Sequence, residues 1–336
     1  MFTDRPAERS AWAPPLARLA LNGPTMGSRW TAIVHAGAGR PTIELQATLQ
    51  GAVDLVDAQM STWRPGSDLN RINAAPVGRW VDVPPELIEV LAAGIAVSRA
   101  SGGAFDIGVG DLVAAWGFGA QAARTGPVPA QAASCCDLGA APQSLEIDTV
   151  NRRVRKHVPL VLDLSGIAKG YGVDRLVETA RGFGIASGLF GIDGEIRALG
   201  AKPDGSAWAI ALEAPDRTSR GTAGVIELVD AAIATSGTYR QYRDVGGRCV
   251  SHTIDPRTRA PIANDLASVS VIAETAMLAD AWATALLVLG PEAGSALAKR
   301  LNLSVVMLRG DGEQIERFAS WGAQHLRGRS RDSHLM

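Results

Sequence analysis

Between Ser187 and Gly237 five strand-like runs, SGLFGI, EIRALG, AWAIALEA, GVIELVD and AAIATSG, follow one another with no helix-length segment between them. Strands that arrive in runs, rather than in strict alternation with helices, point to an α+β fold and away from a doubly wound parallel sheet. The other patterns fit around that block. RWTAIVHA (29–36) reads as a strand. Leu49, Val53, Val56 and Met60 make one apolar face of a helix beginning after Thr42. A second helix starts at Pro84-Pro85, aligns Leu87, Leu91 and Ile95, and ends at Gly102-Gly103. An apolar run at 160–164, read as a strand, leads through Ser165 as N-cap into a helix bearing Val173, Leu176 and Val177. The last third offers the strand SVSVIA, a helix from Thr275 to Leu289, another at 292–300, and the strand LSVVML. Residues 119–145, rich in Ala, Gly, Pro and Gln, read as an irregular connection, and the adjacent Cys135 and Cys136 within it as incidental thiols. The expected layout is one domain over 25–320, with 1–24 a poorly ordered N-terminal extension and 321–336 a polar C-terminal tail.

Charge and composition narrow the function classes. A net charge of -1 provides no global basic field for phosphate polymers or anionic lipid, and 5% aromatic content argues against an aromatic-lined nucleic-acid surface. Three cysteines with no C-x-x-C pair fit a reducing compartment. The first residues carry Asp4, Glu8 and Pro14-Pro15 in place of a signal's apolar core. The longest apolar run considered for a membrane span, AWATALLVLG, is far short of the roughly 20 residues that a transmembrane helix needs. The expectation is a soluble cytoplasmic protein with no membrane insertion and no nucleic-acid partner.

Four segments combine residue types that can do chemistry. DLSGIAKGYGVD sets Asp163 and Lys169 either side of a Ser-Gly turn at a helix start, which is either a phosphate seat or an ordinary capped helix with a surface lysine. Asp280 and Thr284 lie one helical turn apart. They offer two hard oxygen ligands for Mg²⁺, or else a dipole-favoured aspartate and a threonine bonded back to its own helix. TSGTYRQYR (235–243) suits a phosphate or a flat ring, and equally a solvated strand. SHTIDPRTRAPI (251–262) puts His252 beside an Asp-Pro turn, where a histidine can serve chemistry or merely be a satisfied turn residue.

Read in order, the segments PTMGSRW, MSTWRPGSDLNRIN, GGAFDIGVGDLVAAWGFG, LDLSGIAKGYGVD, ATSGTYR, SHTIDPRTRAPI and DAWATALLVLG resemble the ApbE family of FAD:protein FMN transferases, from about Thr25 to Leu308. The resemblance implies a T-fold-related α+β architecture and a Mg²⁺-dependent transfer of the FMN half of FAD to a threonine hydroxyl of an acceptor flavoprotein, releasing AMP. It implies FAD-contacting roles for Met26, Trp63, Ala104, Phe105, Asp106, Asp163, Lys169 and Ile254. It also implies a metal site made by the Gly166 carbonyl with Asp280 and Thr284. His252 is the one group in these motifs with an ordinary pKa near neutrality, about 6.5, so it is the candidate general base or phosphate donor. Two departures stand out. Ala283 occupies a place where some members carry a second acid, and Asp193 precedes Gly194 where the family has a Gly-Gly pair. A Mg²⁺-dependent FAD pyrophosphatase and a flavin-binding protein without turnover are the other readings.

Overall fold

The computed structural model describes residues 16–37, 42–120, 140–215, 221–238 and 250–310, and, as backbone only, 242–245, 248–249, 317–319 and 326–327. Strands β1 (Ala17–Thr25) and β2 (Ser28–Ala36) open an eight-stranded sheet of order β1-β2-β6-β7-β10-β15-β16-β17. Its further members are β6 (Ser187–Ile192), β7 (Glu195–Leu199), β10 (Ala232–Gly237), β15 (Leu266–Ala273), β16 (Ser304–Arg309) and β17 (Arg317–Ala319). Every neighbouring pair is antiparallel, and two-residue links join β1 to β2 and β6 to β7 as hairpins. The expected α+β class holds, and its strands pair antiparallel throughout the described residues.

The ordered sheet begins upstream of Thr25, because Ala17 to Thr25 pair residue for residue with Ala36 to Ser28. The C-terminal limit shifts too: β18 (Leu326–Arg327) pairs with β9 (Thr222–Leu228), beyond the expected boundary at 320. Most of the 119–145 connection, Cys135 and Cys136 included, lies outside the described residues.

One face of the sheet packs on helices α1 (Thr42–Met60), α6 (Ala168–Gly182) and α7 (Ala276–Arg300). Trp30, Ala32, Val34 and Phe190 point into that layer and meet Leu49, Val53, Val173 and Val177. The opposite face, with Ile33, Leu189, Ile196 and Ala198, is covered by the small sheet of β8 (Trp208–Glu213), β9 and β18. The period-2 alternation of the strands thus places each face in its own core. A further core gathers α2 (Asp68–Ala74), α3 (Pro85–Ala100) and the β3-β5-β4 sheet (Trp80–Asp82, Arg153–Lys156, Leu145–Asp148) around Met277, Ala281 and Ala285 of α7. Helix α7 therefore enters three of the molecule's cores, and its alanines allow that close approach.

By length and hydropathy α7 could cross a membrane, which the ten-residue run had not suggested, yet 61% of its apolar window is buried inside the protein. It bends where the sequence placed the break between two helices. Gly290 adopts φ 79° and Pro291 follows. Proline cannot donate to the Leu287 carbonyl four residues back, and Asn264 Nδ2 does so instead at 2.8 Å.

The 160–164 run is not a strand and Ser165 is not an N-cap. Asn73 supplies the bonds that a neighbouring strand would make, accepting from Leu162 N at 2.7 Å and donating to Leu162 O at 3.0 Å. Helix α6 then starts at Ala168 after Ile167, with no side-chain cap.

Candidate active site

Helices α6 and α7 cross at Gly170. A Cβ there would lie against the Ala276 carbonyl oxygen, 2.6 Å from the Ala276 carbonyl carbon and 2.8 Å from Met277 Cα. The backbones therefore touch, and Gly170 N donates to Asp280 Oδ2 at 3.1 Å across the crossing. Asp174, one turn further along α6, accepts from Ala276 N and Met277 N, both at 2.9 Å, so a buried carboxylate closes the start of α7. Arg197 of β7 neutralises it at 2.7 Å.

This crossing brings together three segments that are far apart in sequence. A methyl group at Gly166 would lie 3.2 Å from both Thr284 Oγ1 and a Phe105 ring carbon. Thr284 Oγ1 lies 3.0 Å from Ser236 Oγ at the end of β10, so its hydroxyl points to the pocket rather than back along its own helix. Asp280 is 4% exposed and sits beyond the first turn, whose cap is Thr275 accepting from Leu278 N. The donors here are the Asp280 carboxylate and the Thr284 and Ser236 hydroxyls, with the Gly166 main chain beside them, all hard oxygens of the kind Mg²⁺ takes. Among the described residues no trio of His, Cys, Asp or Glu converges on one point, so a cation here would need the carbonyl and hydroxyl donors.

The hairpin that joins β6 to β7 borders the pocket. Asp193 at its tip has φ 58° and bonds Lys169 Nζ at 2.9 Å. Glu195, the first residue of β7, is 6% exposed, and its Oε2 has no hydrogen-bond partner. Burial raises the pKa of Glu195, and the Asp280 carboxylate raises it further. Burial raises Asp280 as well, against the pull of the Gly170 amide and Lys169. Burial opposes the Lys169 ammonium, yet Glu195, Asp193 and Asp280 hold its proton above the usual lysine range. Glu195, Asp193 and Ser236 were not assigned roles from sequence. The one available signal for Glu195 was its place two residues before Arg197, which puts two charged residues on the core-facing phase of a strand.

The other expected contacts line the approaches. Met26 occupies the two-residue β1–β2 turn with φ 46°, a conformation rare for a non-glycine residue, and its methyl group reaches to 3.0 Å of where a Gly172 Cβ would stand. Trp63 is 63% exposed. Its loop is nonetheless tied down: Asn70 Nδ2 donates to the carbonyls of Ser61, Thr62 and Arg64, and Ser67 Oγ to that of Ser61. Ala104, Phe105 and Asp106 are buried. The Asp106 carboxylate accepts from Gly108 N at 2.7 Å and Ala141 N at 3.1 Å, while burial raises its pKa against those two bonds. Asp163 N donates to Ile107 O, and Asp163 Oδ1 accepts from Ser165 N at 2.8 Å.

His252 and Ile254 ride on a separate loop. Asp255 clamps that loop by accepting from Arg257 N, Nε and Nη2, all within 2.9 Å. Ile254 buries its side chain against Leu112. The His252 ring stands edge-on to Phe118, with centroids 6.4 Å apart. Of the TSGTYRQYR segment, Tyr239 and Arg240 lie outside the described residues, as do the side chains of Tyr242 and Arg243.

The sequence profile of the ApbE family matches residues 26–307. The chain belongs to the ApbE family. It is 36% identical over 313 residues to the FAD:protein FMN transferase of Vibrio cholerae serotype O1, covering 91% of this chain and 92% of that one. It is 32% identical to the enzyme of that name from Klebsiella pneumoniae, covering 94% of this chain and 90% of that one. Among solved structures, the apo form of the Pseudomonas stutzeri flavinyl transferase ApbE superposes with a TM-score of 0.82 at 38% identity, over 91% of this chain and 96% of that one. The pocket at the α6–α7 crossing lies well inside the span that this ApbE-family profile covers.

Proposed function

We propose that the chain transfers the FMN moiety of FAD to a threonine hydroxyl of an acceptor protein, with magnesium held by the Gly166 carbonyl, Asp280 and Thr284. What supports the cation site is the approach of all three residues to one helix crossing: a methyl group at Gly166 would lie 3.2 Å from Thr284 Oγ1, and Gly170 N donates to Asp280 Oδ2 beside them. When bound, the ion would offset the negative charge of the FAD pyrophosphate. The remaining work falls to this chain's side chains. Lys169, kept charged by its acidic neighbours, would pair with phosphate oxygens. Trp63 presents an exposed ring on a tied loop, a stacking platform for the flavin. Phe105 and the buried Ala104 exclude water beside the donors. His252 is the candidate to take the proton from the acceptor hydroxyl or to orient a phosphate. In the reaction a threonine Oγ–P bond forms, the P–O bond of the pyrophosphate breaks, and AMP leaves.

Purified protein incubated with FAD, Mg²⁺ and a threonine-bearing acceptor tests this reading. The expected result is an acceptor that gains the FMN mass, with AMP released in equal amount. Free FMN and AMP without modified acceptor would assign hydrolysis instead. Full, metal-dependent activity in Asp280→Ala would refute the cation assignment.

A further inference from the structure

Glu195 and Arg197 point to the same face of β7, under α6 and α7. Arg197 has its partner in Asp174. Glu195 is only partly satisfied: its Oε2 is buried with nothing to accept from. The nearby ammonium of Lys169 is bonded to Asp193. The other carboxylate that acts on Glu195, Asp280, already takes the Gly170 amide on Oδ2. Two buried carboxylates therefore act on each other at this crossing, and one oxygen of Glu195 lacks a donor. A buried carboxylate oxygen without a donor is costly, so the arrangement fits a place that receives positive charge and hydrogen-bond donors together. A hydrated divalent cation brings both. Mg²⁺ keeps several of its waters when protein supplies only a few ligands, and those waters need acceptors.

We propose that Glu195 is a positioning residue of the cation site, its free Oε2 accepting a hydrogen bond from a water on the divalent ion held by Gly166, Asp280 and Thr284. This inference rests on the metal assignment made above. It is tested with Mn²⁺ as the probe and no FAD, by titrating the wild-type protein, Glu195→Gln and Asp280→Asn while following free Mn²⁺ by electron paramagnetic resonance. Glu195→Gln is expected to weaken Mn²⁺ binding by roughly 10- to 100-fold, the usual effect of losing an outer hydrogen-bond partner. Its metal-free melting temperature should equal or exceed the wild-type value, since an amide is less costly to bury than an unpaired carboxylate. A purely structural Glu195 would give the reverse pattern, a lower melting temperature with unchanged Mn²⁺ affinity, and a loss of less than about threefold in affinity overturns the proposal. Should the amide variant fail to fold, Glu195→Asp retains the charge with a shorter reach, and Mn²⁺ binding at the wild-type level there overturns it equally. If Asp280→Asn binds Mn²⁺ like the wild type, the cation site itself is misassigned and the role of Glu195 falls with it.

Discussion

Replacing Gly170 by alanine would force apart the two helices that carry the site. The added Cβ would meet the Ala276 carbonyl oxygen, with the Ala276 carbonyl carbon at 2.6 Å and Met277 Cα at 2.8 Å. All are backbone atoms, and none can rotate away. Ordinary carbon–carbon contact needs about 3.5 Å, so α6 and α7 must separate by something approaching 1 Å. Alanine gains about 0.5–1 kcal/mol of helix preference over glycine, while overpacking of a tight contact costs typically about 1–3 kcal/mol and more against backbone. The net expectation is a loss of about 1–3 kcal/mol, or a melting temperature lower by about 2–5 °C for a domain of this size. The larger effect falls on the site. The Gly170 N to Asp280 bond is lost, and a displacement near 1 Å costs on the order of 100-fold in turnover when reacting groups must be aligned. Thermal melting followed by FMN-transfer kinetics at saturating FAD and stepped Mg²⁺ reads both effects. A variant that melts with the wild type and keeps its turnover and Mg²⁺ dependence would refute the argument that backbone contact at this crossing sets the site.

Asp174→Ala removes the closure of α7 and strands the buried Arg197, so chemical denaturation should show a loss of about 3–5 kcal/mol. A loss under about 1 kcal/mol would mean that α7 is held by packing alone. Trp63→Ala should leave thermal stability unchanged, because the ring is exposed, yet weaken FAD binding about 2- to 10-fold through lost stacking. FAD titration followed by fluorescence decides it, and unchanged affinity removes Trp63 from the site. Burial raises Asp106, so its favourable contribution is complete below the ordinary carboxylate value and is lost as pH rises through the raised one. Asp106→Asn should therefore gain stability relative to wild type as pH increases over that range in urea melts. A pH-independent difference would contradict the sign.

What could be read from the sequence was whatever rested on local pattern. The strand block 187–237 declared itself by successive strand-like runs with no helix-length segment between them, and α3 by its proline start and glycine stop. β1 escaped because residues 1–24 read as a poorly ordered extension. In the fold Gly23 is there because Trp30 Nε1 stands 2.6 Å from where its Cβ would be, a contact made across the hairpin. The 160–164 run misled for a similar reason, since its partner is the Asn73 side chain rather than a strand. Asp280 and Thr284 were visible as a helical pair, whereas Glu195 was not, because its meaning depends on which strand lies beneath which helix crossing. Pair spacing along one element is local information. The convergence of four elements is not.

The site divides into two kinds of support. Gly166, Lys169, Asp280 and Thr284 belong to α6, α7 and the turn that opens α6, all fixed by cores on several sides. Met26, Trp63 and His252 sit on turns and loops held by local bonds, the Asn70 and Asp255 clamps among them. On the proposed function this division follows the chemistry. Charge stabilisation at a pyrophosphate depends steeply on position and is best served by rigid elements, whereas a flavin ring is held over a broad area that loops can supply. It follows that substitutions in the loop half should change mainly the FAD concentration needed for half-maximal rate, while those at the helix crossing should change turnover and cation dependence. His252 is the informative exception. If it serves as the base it lies in the loop half but must behave kinetically like the crossing, so a His252→Ala variant that raised KM for FAD with turnover unchanged would place it as a phosphate-contacting group.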